Sequence, residues 1–311
     1  MTTRYGYLGP EGTFAQMALQ SWAPAADGEH VPFTSVASAL KALRAGTIDQ
    51  AMVPIENSVE GGVTATLDAL SVGEQLRIVG EVLVPVTFVL AARDGMPLPS
   101  VHAVGTHTHA WAQVRGWMEE NLPRAAYVPT PSTAAAAQAL AEATTAPFDA
   151  AVCAPVAAAN LGLRVLAEQI GDNGAAVTRF ALVARPGPMP PATGRDKTTV
   201  VLYQLTDRPG GLLELLEQFA VRGVNMTRLE SRPTGEAMGS YCFSIDFEGH
   251  LADDRVRETL VGLKRVCMDV RFLGSYARAD GRSSVVDEGT SNADFTAARQ
   301  WLAGLGADPP G

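Results

Sequence analysis

The chain has 311 residues, 47% of them hydrophobic and 18% charged, which is ordinary for a globular protein and long enough for two or three domains with a real core. Its formal net charge of −9 argues against nucleic acid as the main partner. A small anionic ligand is not excluded, because a local cationic pocket can override the global sign. The N-terminus carries no apolar secretion segment, and the longest apolar run, Val82 to Ala92, is too short to span a bilayer and contains Pro85. The expectation is a soluble, cytoplasmic protein without membrane partners. Cys153, Cys242 and Cys267 are widely spaced in apolar runs and have neither Cys-x-x-Cys nor zinc spacing, so they read as buried free thiols.

In chain order, Arg4–Leu8 reads as a strand, followed by a turn at Gly9–Thr13 and a helix over Phe14–Trp22. Val36–Ala45 is helical by its apolar period, and Gln50–Ile55 is a short buried strand. A helix is expected to start near Gly62 and run through Leu70. Ile78–Ala92 is a long apolar strand broken at Pro85. Val101–Val104 reads as a strand, Ala110–Asn121 as a helix and Tyr127–Val128 as a short strand. Ser132–Ala143 is a helix, Ala150–Cys153 a strand, Pro155–Asn160 a helix and Phe180–Ala184 a strand. Such alternation implies parallel sheets covered by helices.

The long strand from Ile78 and the return strand from Val177 bracket a self-contained set of α/β units. The chain is expected to leave one lobe near Pro85, build a second, and return near Thr178. Two crossovers then flank a cleft. The proposed boundaries are a two-lobed region over 1–185, with lobe 1 about 1–84 and 177–185 and lobe 2 about 85–176. A proline-rich linker follows at 186–196. Residues 197–276 then read strand Thr198–Leu205, helix Leu212–Arg222, strand Asn225–Arg232, strand Ser240–Phe247, helix Asp253–Leu263 and strand Val266–Leu273, a ferredoxin-like βαββαβ order. The tail, 277–311, is polar and glycine-rich, partly disordered by composition, with a short helix expected at Phe295–Leu305.

Four polar strand-to-helix turns stand out: Gly9–Phe14, Pro54–Val63, Thr106–His109 and Thr130–Thr133. Ligands of open α/β sheets bind beyond the carboxyl ends of strands, where helix N-termini offer free N–H groups suited to carboxylates. Each turn alone is equally well a plain capping loop, with Ser58 as a cap and Glu56 solvated. Together they describe a pocket for a ligand with more than one carboxylate. His107 and His109 would point to opposite sides of an extended segment. No third ligand gives them metal spacing, so a loop hydrogen bond or no role is expected. The triplet Thr178-Arg179-Phe180 sits at a loop-to-strand boundary. Alternation puts Thr178 and Phe180 on one face and Arg179 on the other.

Gly9-Pro10-Glu11-Gly12-Thr13-Phe14-Ala15, Val53 to Gly61 with Glu56-Asn57-Ser58, and Ile170 to Phe180 with Thr178-Arg179-Phe180 resemble, in order and spacing, the prephenate dehydratase family. The C-terminal region resembles an ACT regulatory domain. The likeness covers about residues 4–275 and is to the monofunctional form. It departs from the family at Ala176, where Asn is frequent, at Gly211, where Ala is usual, and at His109, which stands in the Gln place of a Ser-His-Pro-Gln-like stretch.

The resemblance implies an α/β fold: a two-lobed, periplasmic-binding-protein-like catalytic region with two crossovers, plus a ferredoxin-like ACT domain. It implies conversion of prephenate to phenylpyruvate with loss of carbon dioxide and water, in phenylalanine biosynthesis, with no cofactor and no metal. Thr178 would hydrogen-bond the departing hydroxyl, with a proton supplied through a neighbour such as Glu56 if burial raises its pKa. Asn57 and Gln113 would orient substrate, Phe180 would line the apolar side, and Thr13, Ser58 and Thr106 would complete the binding set. Arg179 braces the loop or meets a substrate carboxylate; bracing is favoured.

L-Phenylalanine is implied as effector at Gly210, Gly211, Leu212, Leu213, Asn225, Glu230, Ser231, Arg232 and Pro233, in a homodimer or homotetramer formed through ACT domains. Arogenate dehydratase and a non-catalytic amino-acid sensor are the alternatives.

Overall fold

A computed structural model describes residues 2–142, 146–204, 208–234 and 241–305. The expected element residues Ala143, Leu205 and Ser240 lie outside the described residues. The chain divides into two compact units, residues 1–66 with 82–181 and residues 67–81 with 182–311.

The first unit opens with β1 (Arg4–Leu8), α1 (Phe14–Ser21), β2 (Glu29–Phe33), α2 (Val36–Arg44), β3 (Gln50–Asn57), β4 (Gly61–Gly62), α3 (Thr64–Ser71) and β5 (Arg77–Pro85). Then come β6 (Val89–Ala92), β7 (Ala103–Thr106), α4 (Thr108–Gln113), α5 (Arg115–Asn121), β8 (Ala126–Pro129), α6 (Thr133–Glu142), β9 (Ala150–Cys153), α7 (Pro155–Asn160), β10 (Arg164–Ala167) and the return strand β11 (Val177–Ala184). α3, β5 and β11 contribute residues to both units.

Two sheets result. One runs β2-β1-β3-β11-β5, with β4 hydrogen-bonded to β3; the other runs β10-β6-β9-β7-β8. β1 pairs in parallel with β2 and β3, and β7 in parallel with β8 and β9. The apolar centres of β3 (Ala51-Met52-Val53) and β9 are buried on both faces, as helices on either side of a sheet require; the second sheet is mixed and not parallel as expected, because β6 runs antiparallel to both β9 and β10. The break at Pro85 and the return near Thr178 connect the two sheets as the sequence predicts. α1 starts at its cap Thr13, whose hydroxyl accepts the Gln16 N–H, and α2 at a capping box of Ser35 and Ser38.

Several local expectations change. Strands β2 and β10 have no counterpart in the sequence reading. They are short edge strands with half-exposed residues, so neither shows a buried apolar face. The helix expected from Gly62 begins at Thr64, because Gly61 and Gly62 form an antiparallel hairpin with Asn57 and Glu56. The single helix expected over Ala110–Asn121 is two, divided at Val114.

The second unit holds β12 (Asp196–Gln204), α8 (Gly211–Ala220), β13 (Met226–Pro233), β14 (Tyr241–Glu248), α9 (Asp254–Val266), β15 (Cys267–Ala277) and α10 (Asn292–Gly304). The order β13-β14-β12-β15, with every pairing antiparallel, is that of a ferredoxin-like βαββαβ sheet. Leu215, Phe219, Val256 and Leu263 from the helices pack on Val200, Leu202, Ile245 and Phe247 of the sheet.

Residues 67–81, expected in the first lobe, belong to this unit. The reason is a set of hydrogen bonds: Arg271 Nη1 donates to Gly73 O at 2.9 Å, Gln75 Nε2 to Phe272 O at 2.7 Å, and Lys197 Nζ to both oxygens of buried Glu81 at 3.1 Å. Downstream, Asn292 Oδ1 accepts the Asp254 N–H at 2.7 Å, and Arg299 pairs with Asp254, so α10 lies against α9. Among the described residues, no helix is long and apolar enough to cross a membrane.

Candidate active site

A cavity of about 350 Å³ lies in the first unit and draws its lining from both sheets. β3 and β11 are neighbours; β3 ends at the cavity and β11 begins there. Strand alternation divides their side chains. Asn57, Thr178 and Phe180 line the cavity, while Glu56 and Arg179 face away and pair with each other, Arg179 Nη1 to Glu56 Oε2 at 2.9 Å. Arg179 pairs with Glu56 and does not line the cavity. Glu56, expected as a proton source, gives its carboxylate to that guanidinium and does not line the cavity.

Asn57 Nδ2 donates to Thr178 Oγ1 at 2.8 Å. The amide cannot flip without loss, because its oxygen accepts the N–H groups of Val59 at 2.8 Å and Glu60 at 3.2 Å. Thr178 Oγ1 thus accepts from Asn57, and its own hydrogen remains available to donate. Phe180, Phe14, Phe88 and Val86 supply the apolar wall, with Phe14 and Phe88 edge to face at 5.8 Å.

Three of the four polar turns bring helix starts to this cavity: Thr13 of α1, His107 and His109 of α4, and Ser132 and Thr133 of α6. The fourth contributes Asn57, Glu60 and Val63 through the β3–β4 hairpin instead. Thr13 donates to Leu8 O at 2.8 Å while capping α1, so its proton is already committed. Gln113, at the end of α4, lines the cavity.

Two expected contacts fall elsewhere. Ser58 is exposed and clips the sheet: its N–H donates to Val177 O and its Oγ accepts the Val177 N–H, both at 2.9 Å. Thr106 is fully buried within β7 and donates to Val152 O at 2.8 Å. The two histidines do not diverge. His107 caps α4 and accepts the His109 N–H, and the rings stack with centroids 5.1 Å apart. Burial, and the neighbouring His109, hold the His107 pKa below the usual imidazole range, against a smaller opposing pull from Glu60. His109 Nδ1 bonds Glu60 Oε2. Glu60 was absent from the sequence-based set. Its signal was present in the spacing Asn57-x-x-Glu60, which lets the Asn57 side chain hold the turn. Among the described residues, no group of three or more His, Cys, Asp or Glu side chains could hold a metal ion.

In the second unit, a groove of about 450 Å³ is lined by Gly210, Gly211, Leu212, Leu213 and Ser231, together with Gln204, Arg208, Tyr241 and Phe243. Asn225, Glu230, Arg232 and Pro233 do not line it. Ser231 and Arg232 are consecutive on β13 and face opposite ways. Arg232 makes a two-pronged ion pair with Asp68 of α3, Nε to Oδ1 at 2.9 Å and Nη2 to Oδ2 at 3.0 Å. Gly210 has φ +79°, the left-handed conformation glycine adopts without strain, and turns the chain into α8.

The prephenate dehydratase family model matches residues 5–188. A prephenate dehydratase from Amycolatopsis methanolica is 47% identical over 304 residues, covering 97% of this chain and 98% of the relative. The crystal structure of a prephenate dehydratase from Arthrobacter aurescens, solved in complex with L-Phe, is 56% identical with a TM-score of 0.93, covering 97% of this chain and 99% of that one. A structure described as GqqA, a quorum quenching acylase, is 30% identical with a TM-score of 0.79, covering 90% of this chain and all of that one. With the family model spanning more than half of its length and a 47% identical relative matching it nearly end to end, the chain belongs to the prephenate dehydratase family of carbon–oxygen lyases.

Proposed function

We propose that the cavity binds prephenate and releases phenylpyruvate, carbon dioxide and water. The bond between the ring and its carboxylate breaks, its electron pair enters the ring, and the C–O bond opposite breaks as the hydroxyl takes up one proton, drawn from solvent, and leaves as water. Aromatisation drives the reaction, so the protein has to assist two departures. The apolar wall of Phe14, Phe88 and Phe180 favours loss of neutral carbon dioxide from a desolvated carboxylate. Thr178 donates a hydrogen bond to the departing hydroxyl.

The observation that carries this reading is the Asn57–Thr178 hydrogen bond, which occupies the threonine oxygen as acceptor and leaves its hydrogen for the leaving group. The same bond argues against acyl transfer through Thr178. A nucleophilic hydroxyl needs a base to take its proton, and Asn57 donates to it instead.

Residues 197–276 act as an ACT regulatory domain, and L-phenylalanine binds its groove as feedback effector. An amino acid fits the chemistry there, with Leu212, Leu213 and Tyr241 for an aromatic side chain and the start of α8 for a carboxylate. The relative from Arthrobacter aurescens was solved with L-Phe, which supports the reading. The protein acts in the cytoplasm as a homodimer or homotetramer joined through these domains.

One assay tests the proposal: prephenate and arogenate are offered separately, with and without L-phenylalanine. Phenylpyruvate from prephenate, with a rate that responds to L-phenylalanine, is expected. Phenylalanine formed from arogenate alone would make the enzyme an arogenate dehydratase, and no product from either would leave an amino-acid sensor.

A further inference from the structure

A further cavity of the second unit, of about 260 Å³, shares no residue with the groove. The turn before β12, the end of β14, the starts of α9 and α10 and the tail ahead of α10 enclose it. Arg255, in the first turn of α9, lines it and is 4% exposed. Its Nη1 donates to Val285 O at 3.0 Å and Gly223 O at 3.2 Å. Among the described residues, Nε and Nη2 have no partner and no carboxylate pairs with the guanidinium. A buried cation is costly unless something compensates it. Ser284, on the same wall, has a buried Oγ that no hydrogen-bond partner satisfies.

The opposite charge stands beside the guanidinium. Asp253, at the cap position of α9, accepts the His250 N–H on Oδ2 at 2.9 Å, and its Oδ1 has no partner among the described residues. A Cβ at Gly249 would lie 3.1 Å from Asp253 Oδ2 and 3.7 Å from Arg255 Nη2, and the φ of +106° there favours glycine. The carboxylate and the guanidinium therefore flank Gly249 without pairing with each other.

We propose that this cavity binds a free α-amino acid with a small side chain. The ligand's carboxylate accepts from Arg255 and Ser284, and the start of α10 favours the same charge. Its ammonium donates to Asp253. Asp196, buried and already holding the Thr193 N–H, the Thr193 hydroxyl and the Gly194 N–H, adds negative charge for the ammonium. A simple anion would face both carboxylates and a simple cation would face the guanidinium, whereas a zwitterion matches each. The side chain is small because Val286 is the one large apolar residue among the described lining residues. The groove, by contrast, offers Leu212, Leu213, Tyr241 and Phe243.

The site shares no residue with the catalytic cavity, so its occupancy is read without turnover. L-Alanine labelled with carbon-13 is titrated into the full chain and followed by NMR, with acetate and ethylamine as probes of each charge alone. L-Alanine is expected to bind saturably, and acetate and ethylamine about tenfold or more weakly. Arg255→Gln should weaken L-alanine by about tenfold or more, but it can also loosen the tail. Asp253→Asn keeps an acceptor for the His250 N–H and a favoured residue at the helix start, so it should lose about tenfold in affinity with an unchanged circular dichroism spectrum. Ser231→Tyr, in the groove, should bind L-alanine as the wild type does. No saturable binding, acetate as tight as L-alanine, or wild-type affinity in Asp253→Asn overturns the proposal. Loss of L-alanine binding in Ser231→Tyr places the amino acid in the groove and overturns it as well.

Discussion

Asn57 and Thr178, 121 residues apart, meet with the amide nitrogen 2.8 Å from the hydroxyl oxygen. The direction of that bond is what makes Thr178 useful. If it is reversed, the hydroxyl hydrogen points at residue 57 and not at the substrate. Asn57→Asp does this, since a carboxylate only accepts. We predict a fall in kcat of about 10²-fold or more for Asn57→Asp, and of about 10² to 10⁴-fold for Thr178→Ala, with the fold retained in both. Thr178→Ser, which keeps the hydroxyl, should recover most of the rate. Phenylpyruvate formation at saturating prephenate measures all three, and an Asn57→Asp enzyme of wild-type kcat would remove the bond from the mechanism.

Glu56 and Arg179 give the complementary test. They occupy the faces of β3 and β11 turned away from the cavity, with Arg179 7% and Glu56 36% exposed. A brace and an acid behave differently when the carboxylate becomes an amide. As a brace, Glu56→Gln keeps kcat within about tenfold, and its cost appears in stability, on the order of 1–2 kcal/mol because one partner is partly solvated. As the proton source, it would lose about 10² to 10⁴ in kcat. Thermal denaturation and kcat measured on the same preparation separate the two outcomes.

The facing of Thr178, Arg179 and Phe180 was legible in the sequence because β11 is a regular strand, and a period of two needs no tertiary information. The convergence of the polar turns was legible for a similar reason: strand ends of an α/β sheet share one side. Thr106 was misplaced by a shift of two residues in β7, observed at Ala103–Thr106 where Val101–Val104 was expected, which carries its hydroxyl into the core. Glu60 and His109 could not be paired from spacing, since their contact depends on how the two sheets are brought together. Arg232 falls off the groove for a subtler reason. A motif shows that four consecutive residues of a strand matter, but on a strand only alternate ones can face the same ligand.

Arg232 accordingly has a prediction of its own. Its guanidinium is occupied by Asp68 and lies off the groove lined by Ser231. Arg232→Ala should leave the dissociation constant for L-phenylalanine within about threefold of wild type, whereas Ser231→Tyr, which fills the groove, should raise it about tenfold or more. Isothermal titration with L-phenylalanine reads both. Equal losses in the two variants would return Arg232 to the effector site.

The acid stability of the second unit follows from Arg278. Its guanidinium donates to both oxygens of Asp280, at 2.9 and 2.7 Å, and to Glu248 Oε1 at 2.5 Å. The hydrogen bonds from Arg278 hold the Asp280 carboxyl down at about 2, below the ~3.9 of an unfolded chain. A depressed folded-state pKa means that the unfolded state binds the proton more readily. The stabilisation from Asp280 is therefore complete above about pH 4 and is lost as the pH falls from there towards 2. Asp280→Asn removes that titration. Its Tm should lie below that of the wild type at pH 6, and the gap should narrow as the pH is lowered through this window. A gap that is constant from pH 6 to pH 2 would show that Asp280 is held by something other than its charge.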